Sequence, residues 1–524
     1  METTKGTMTI LPLSFISMRA TESDERARRA AWLVLAVAIA VRLIAAALVP
    51  LAPDETYYWE WSRALAPGYL DHPPAIALLI RLGTPLLGAT TLGVRIASVL
   101  AGALTSLVLV RVAGALGGDR PMLRAAAIIA CMPLAQIGLA LATPDAALLL
   151  CWALALASLV AVVRAMEARR STVRAWALAG LALGAALDSK YTALLLAAGV
   201  ATALALEPAL RRELRTPGPY LAAVLALALF LPNLIWNAAH GWPSFAFQLA
   251  HGLAVHRGSP LRHELQLLGG QIALVSPLLL AALAIPVVRA MLRRDDTLRT
   301  SYAIIASVTW LAFVASALRS AVEPNWQGPA YLSAIVLAAT YDGGSRWAKF
   351  LRAALAVGAA MTILIYAHAI APFVPTNIAL DPTMSGFGWR TLSAHVDSAR
   401  HARIEAGVAT WVAGERYQEA SELAYYLPDH PTTFTIDVHA RVNQYDLWPL
   451  FPARATTGDR LVLVLGLYTL AENDPVIAAL TPHFKRASLR EVVPLRRGTT
   501  IRGWRRIWVL DGWRGSWPRS ELAR

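Results

Sequence analysis

PDETYYWEWSRALAPGYLDHPP, residues 53 to 74, follows directly on an apolar run at residues 30 to 50. About 20 apolar residues are what a helix needs to cross a bilayer core, so the stretch stands at the mouth of a membrane helix. Its adjacent acids, Asp54 and Glu55, are costly beside hydrocarbon unless they face a polar cavity. A solvated loop accounts for one acid. Two acids set among Tyr57, Tyr58, Trp59 and Trp61 point to a site, the aromatics serving either as an interfacial belt or as a floor on which a sugar ring stacks. Asp71 and His72 precede Pro73 and Pro74, which stiffen the chain. Those two polar side chains either act directly or simply start the next helix.

Working outward, further apolar segments run near 91 to 116, 121 to 141, 146 to 163, 175 to 188, 191 to 206, 219 to 236, 266 to 288, 300 to 318, 329 to 345 and 351 to 371, eleven with the first. The 524 residues are 56% hydrophobic and 16% charged, the composition of a polytopic membrane protein. The formal charge of +14 comes from arginines. They cluster at Arg26, Arg28 and Arg29, around Arg111 and Arg124, Arg164 and Arg174, Arg211 and Arg215, Arg289 and Arg299, and Arg346 and Arg352. All fall on one side if eleven helices cross, which makes that side cytoplasmic and nucleic-acid binding the weaker reading of the charge. The expected organisation is a cytoplasmic segment 1–29, an all-α membrane bundle 30–371 with an external loop 51–90, and a periplasmic domain 372–524. The outer loops carry the acids, histidines and aromatics. Cys131 and Cys151 lie inside apolar runs, which excludes a disulfide scaffold and a thiolate zinc site.

Beyond residue 372 the texture becomes that of a soluble α/β unit. AGVATWV (406 to 412), TTFTIDV (432 to 438), GDRLVLVLG (458 to 466) and RRIWVLD (505 to 511) have strand character, and RYQEASELAYYL (416 to 427) has helical spacing. A small sheet with crossover helices is the economical fold. No glycine-rich phosphate loop follows any of these strands.

The run DETYYWEWSRALAPGYLDHPPAIALL resembles the first external loop of bacterial glycosyltransferase family 39 and aminoarabinose-transferase-like proteins, within the larger group that includes protein O-mannosyltransferases. TPDAALLL (143 to 150), DSKYTALLL (188 to 196), EPNWQGPAYLSA (323 to 334) and RYQEASELAYYLP (416 to 428) resemble further stretches of that family. The resemblance implies a GT-C fold and transfer of a sugar from a polyprenyl phosphate at the outer face of the bacterial inner membrane. It sets Asp54 near the reacting centre and Asp145 as a second acid at the mouth of the fourth helix. It also implies substrate contacts from Tyr57, Tyr58, Asp71, His72, Lys190, Tyr191, Glu323, Asn325 and Trp326. Where the aminoarabinose transferases have a lysine and a nearby arginine, this chain has His72 and Tyr57, so its Asp-His-Pro-Pro form is more similar to the protein mannosyltransferases.

Displacing a sugar from a lipid phosphate needs a base for the acceptor hydroxyl and a cation for the departing phosphate. Asp54 is the expected base, with Glu55 second and Asp145 assisting. Lys190, between two apolar runs, needs an anionic companion and is the expected phosphate partner unless it snorkels to the interface. Arg257 and Arg262, with His251, His256 and His263 in the loop 237 to 265, are candidates to clamp the headgroup. Asp54, Asp71, His72 and Asp145 could converge on a divalent cation, but no H-x-x-x-H spacing supports it, and no cofactor is expected. Partners are the lipid-linked donor, a lipid, glycan or protein acceptor, and the bilayer. A transporter or flippase of lipid-linked sugars is the alternative. Apart from Arg42, however, the charges cluster at the outer mouths instead of mid-membrane, which favours an enzyme.

Overall fold

The computed structural model describes residues 22–253, 258–373, 381–402, 407–436, 441–466 and 474–518. All eleven expected segments are helical. Among the described residues six helices are long and apolar enough to cross a membrane, or up to eight if each of two sharply bent pairs counts as one span. Two segments differ from expectation. The segment at 121 to 141 breaks between Asp119–Cys131 and Pro133–Gly138, and that at 266 to 288 bends by 102° between Pro260–Val275 and Pro277–Arg293. Each break precedes a proline, which lacks the N–H that would continue the helix and disfavours helical backbone in the residue before it. At the second break Ser276 has φ 78°, and its hydroxyl caps Leu279.

Small residues allow close helix contacts. Gly180 and Gly184, one turn apart, face the helix Gly218–Ala239 so closely that a Cβ at Gly180 would lie 2.3 Å from the Ala222 carbonyl oxygen.

The C-terminal domain is a five-stranded sheet of β1 (Thr410–Gly414), β2 (Thr433–Thr435), β3 (Arg460–Gly466), β4 (Phe484–Arg497) and β5 (Thr500–Trp513), in the order β2-β1-β3-β5-β4. β2, β1 and β3 are parallel, and β4 and β5 form an antiparallel hairpin. Every residue of β3 is buried. Leu461, Leu463 and Leu465 enter the core on one face, while Val462 and Val464 pack with Leu423 and with Trp389 and Leu392 of the helix Trp389–His401 on the other. β4 was not expected from the sequence. Its FKRASLREVVPLRR reads as too charged for a strand, and the structure puts it at an edge, where charge blocks pairing with another chain.

This domain is seated on the membrane bundle. Its helix Tyr417–Tyr426 packs along the juxtamembrane helix Pro53–Arg63, with Tyr57 and Tyr417 rings 4.4 Å apart and Trp59 edge-on to Tyr425 at 5.2 Å. Tyr57, Tyr58, Trp59 and Trp61 are therefore buried at 2%, 7%, 4% and 0% exposure. They are neither an interfacial belt nor an open stacking floor: the C-terminal domain covers Tyr57 and Trp59, and Trp61 stacks on Tyr69 of the same loop at 4.5 Å. A second attachment comes from Arg497, which donates to the carbonyls of His368, at 3.0 Å, and Ala369, at the C-terminus of the last long helix, Gly344–Ile370.

Candidate active site

The juxtamembrane helix sets the site. Pro53 stands in its first turn, where a missing N–H costs nothing, and Glu55 reaches back to accept from Ala52 N at 2.9 Å. Glu55 also accepts from Arg95 Nε at 2.7 Å, from Arg95 Nη2 and from Ala142 N at 2.9 Å. Arg95 spends its remaining donors on the carbonyls of Ala46, Val49 and Pro50. With two oxygens accepting four hydrogen bonds at 1% exposure, Glu55 has no lone pair left for an acceptor hydroxyl. The second candidate base is thus corrected to a clamp that joins the first span to the loop beside Ala142.

Asp54 sits about 100° away around the same helix. Its side chain is open to solvent. One oxygen accepts from the Tyr417 hydroxyl at 3.2 Å, and that hydroxyl accepts from Arg441 Nη1 at 2.9 Å. Burial raises the Asp54 carboxyl above its ordinary range, against the opposing pull of Tyr417 and Arg441.

Asp71 is buried, accepts from the Tyr57 hydroxyl at 2.7 Å and faces Arg441 Nη2 at 3.5 Å; burial pushes its carboxyl up to about 6. Tyr57 is fully committed, donating to Asp71 while accepting from Gln444 N at 2.5 Å. Its expected contact with substrate is therefore replaced by one that orients Asp71. His72 lies beside Tyr58, ring centroids 6.0 Å apart.

Tyr58 stands within electrostatic reach of Asp54, Asp71 and Asp145. Asp145, in the first turn of Pro144–Glu167, accepts from Lys190 Nζ at 2.8 Å and from Asn325 Nδ2 at 3.1 Å. The anionic companion that Lys190 required is thus Asp145, and both side chains are nearly buried. Beneath them a cavity of about 180 Å³, walled by Leu109, Leu139, Leu149 and Tyr331, reaches up to Asp145 and Asn325.

The remaining candidates scatter. Tyr191 bonds Ser244 Oγ at 2.7 Å and Asn233 at 3.3 Å, and Asn233 holds the Pro67 carbonyl at 3.0 Å, so Tyr191 braces the loop that carries Asp71. Glu323 is exposed, and Trp326 packs on Phe313 at 6.0 Å. Arg262 is exposed on Pro260–Val275, and His263 beside it is buried. Arg257 and His256, and the side chain of His251, lie outside the described residues. Among the described residues no group of three or more His, Cys, Asp or Glu side chains is placed to hold a metal ion.

Arg95, Tyr417, Arg441 and Gln444 were not singled out from the sequence. Tyr417 lay in a stretch already noted, but its partner is 363 residues away. Arg441 reads in the sequence like any solvated arginine of a soluble domain.

The chain has the fold of GT-C membrane glycosyltransferases, with several apolar helices and a small C-terminal sheet domain. Residues 71–236 match the family described as dolichyl-phosphate-mannose-protein mannosyltransferase. The lipid A galacturonosyltransferase RgtD of Rhizobium johnstonii is 29% identical over 439 residues, covering 81% of this chain and 88% of that relative. Two structures of ArnT from Cupriavidus metallidurans share the fold with a TM-score of 0.61. The one bound to undecaprenyl phosphate is 17% identical and matches 93% of this chain and 99% of that one. The apo form is 18% identical and matches 91% and 97%.

Proposed function

We propose that the protein transfers a sugar from a polyprenyl-phosphate donor to an envelope acceptor, a lipopolysaccharide, other lipid or protein, at the outer face of the bacterial inner membrane. Asp54 takes the proton of the acceptor hydroxyl while that oxygen bonds the anomeric carbon. The bond from that carbon to the phosphate oxygen breaks, and the phosphate leaves toward Arg441 and Lys190. The observation that carries this reading is the solvent-open carboxylate of Asp54, tied through Tyr417 to the half-exposed Arg441, with the Asp145–Lys190 pair as a second acid–base couple. The apolar cavity that ends at Asp145 and Asn325 suits a prenyl chain with its phosphate at the polar end. RgtD, by its name, acts on lipid A, and one ArnT structure holds undecaprenyl phosphate; both support a lipid-linked donor and a lipid acceptor. The domain after residue 372 covers the site and supplies Tyr417 and Arg441, and the arginine-rich loops face the cytoplasm.

The test is paired: transfer of a labelled sugar from a polyprenyl phosphate, and binding of a non-transferable donor analogue, on Asp54→Asn in nanodiscs. A general base contributes roughly 10²-fold to 10⁴-fold, so transfer should fall by that much while analogue binding persists. Normal transfer removes Asp54 from the base role.

A further inference from the structure

A second cleft, of about 280 Å³, opens where the last turn of the juxtamembrane helix meets β2 and the segment that follows it. The transfer chemistry leaves it unused. Glu60, 7% exposed, forms one wall; one of its oxygens accepts from Arg63 at 2.5 Å, and the other accepts no hydrogen bond among the described residues. Arg63 is committed to Glu60, to the His430 carbonyl at 2.6 Å and to the face of Trp59 at 4.8 Å. Arg454, ending the short helix Phe451–Arg454 on the opposite wall, is exposed and forms no ion pair among the described residues. Thr432, Thr435 and the half-buried Trp448 also line the cleft.

A lining that combines an aromatic residue with threonines and a carboxylate matches a molecule with one apolar face and a polar rim, as a pyranose has. The Glu60–Arg63 pair is neutral, so Arg454 leaves one uncompensated positive charge in the cleft. β2 contributes only three residues at the sheet edge, too short a template for an added peptide strand. Glu60 lies about 9 Å along the helix from Asp54, a gap that one oligosaccharide bridges.

We infer that this cleft binds a saccharide ring bearing an anionic group, the part of the acceptor next to the sugar that reacts. The inference rests on the transfer reading above, but it is tested without donor or turnover. Binding of glucuronate, glucosamine 6-phosphate, glucose and inorganic phosphate is titrated by saturation-transfer NMR on the full chain in nanodiscs. The two anionic sugars should bind about tenfold more tightly than glucose or inorganic phosphate. Arg454→Ala should bring them down to the level of glucose, and Arg454→Lys should restore most of the difference. Trp448→Ala should weaken all three sugars. Asp54→Asn should bind like the parent protein, so its loss of transfer bears on the proposed function alone. Unchanged binding in Arg454→Ala overturns the inference, as does inorganic phosphate binding as tightly as the sugar phosphate. So does binding of an extended threonine-rich peptide in the cleft when the sugars do not bind.

Discussion

On one side of the juxtamembrane helix lies a sealed anchor, Glu55 with Arg95; on the other lies an open cluster, Asp54 and Asp71 with Arg441. Both regions pair carboxylate with guanidinium, and their acids are consecutive in the chain. They differ in how fully the donors are used. Arg95 has a side-chain exposure of 2% and every partner it needs, whereas Arg441 is 51% exposed and reaches the acids through one tyrosine hydroxyl and a 3.5 Å contact. A saturated buried pair fixes geometry because neither member has anything left to offer; an undersaturated one has lone pairs and N–H groups free for a substrate. The proposed chemistry is assigned to the second region because the first has been completed by the protein itself.

The sharpest way to break this contrast is to neutralise each acid in turn. Asp54→Asn should lose roughly 10²-fold to 10⁴-fold in turnover with little loss of stability. Glu55→Gln should leave Arg95 buried without its counter-charge and cost about 3–5 kcal/mol in unfolding, while the molecules that remain folded keep their turnover. Thermal unfolding and initial rates normalised to folded protein separate the two. A stable, inactive Glu55→Gln would erase the distinction.

The Asp145–Lys190 pair lies between these extremes, nearly buried yet bordering a cavity. Asp145→Asn and Lys190→Met should each destabilise by a few kcal/mol, with the double variant recovering part of the loss and a coupling of about 0.5–3 kcal/mol. Donor-analogue binding should stay weak in the double variant, because the phosphate has lost its cation. Full recovery of binding would make the pair purely structural.

A smaller effect tests the link between the domain and the reacting acid. The Tyr417 hydroxyl holds the Asp54 carboxyl down against burial, so Tyr417→Phe should move the acid limb of the pH–rate profile upward. The lost hydrogen bond should slow transfer by about 2-fold to 10-fold at neutral pH. A limb that does not move disconnects Tyr417 from Asp54.

The smallest concerns Glu422, a third kind of carboxylate at the same seam, fully buried with neither oxygen hydrogen-bonded among the described residues. Burial raises it well above the model-peptide value of 4.5. The folded protein therefore keeps a proton that the unfolded chain releases above about 4.5. Stability from this group is complete below that pH and falls as pH rises toward the folded value. Glu422→Gln, neutral at every pH, should flatten that decline and change stability at pH 5 by no more than about 1 kcal/mol. An unchanged slope of unfolding temperature against pH would show that Glu422 is ionised when folded.

The apolar helices, the polar mouth after the first of them and the sheet domain were legible because each is a local pattern, although of the eleven expected spans only six to eight are long and apolar enough to cross among the described residues. Apolar runs long enough for a bilayer, acids at their ends and strand alternation in GDRLVLVLG are all written within a few residues. Asp54 and Asp145 were legible for the same reason, as acids beside hydrocarbon. What the sequence left undivided was which of two adjacent acids is open. That was decided by Arg95, forty residues on, and by Ala142, which together saturate Glu55, and by a helix 363 residues away that leaves Asp54 with one weak partner and a free face. The fate of Tyr57 and its neighbours was settled in the same way: aromatic residues at a membrane mouth read as a belt until the folded chain buries them. Hydropathy is a property of each residue and survives in one dimension. Whether a charge is spent or available depends on how many donors reach it, and only the folded chain sets that number.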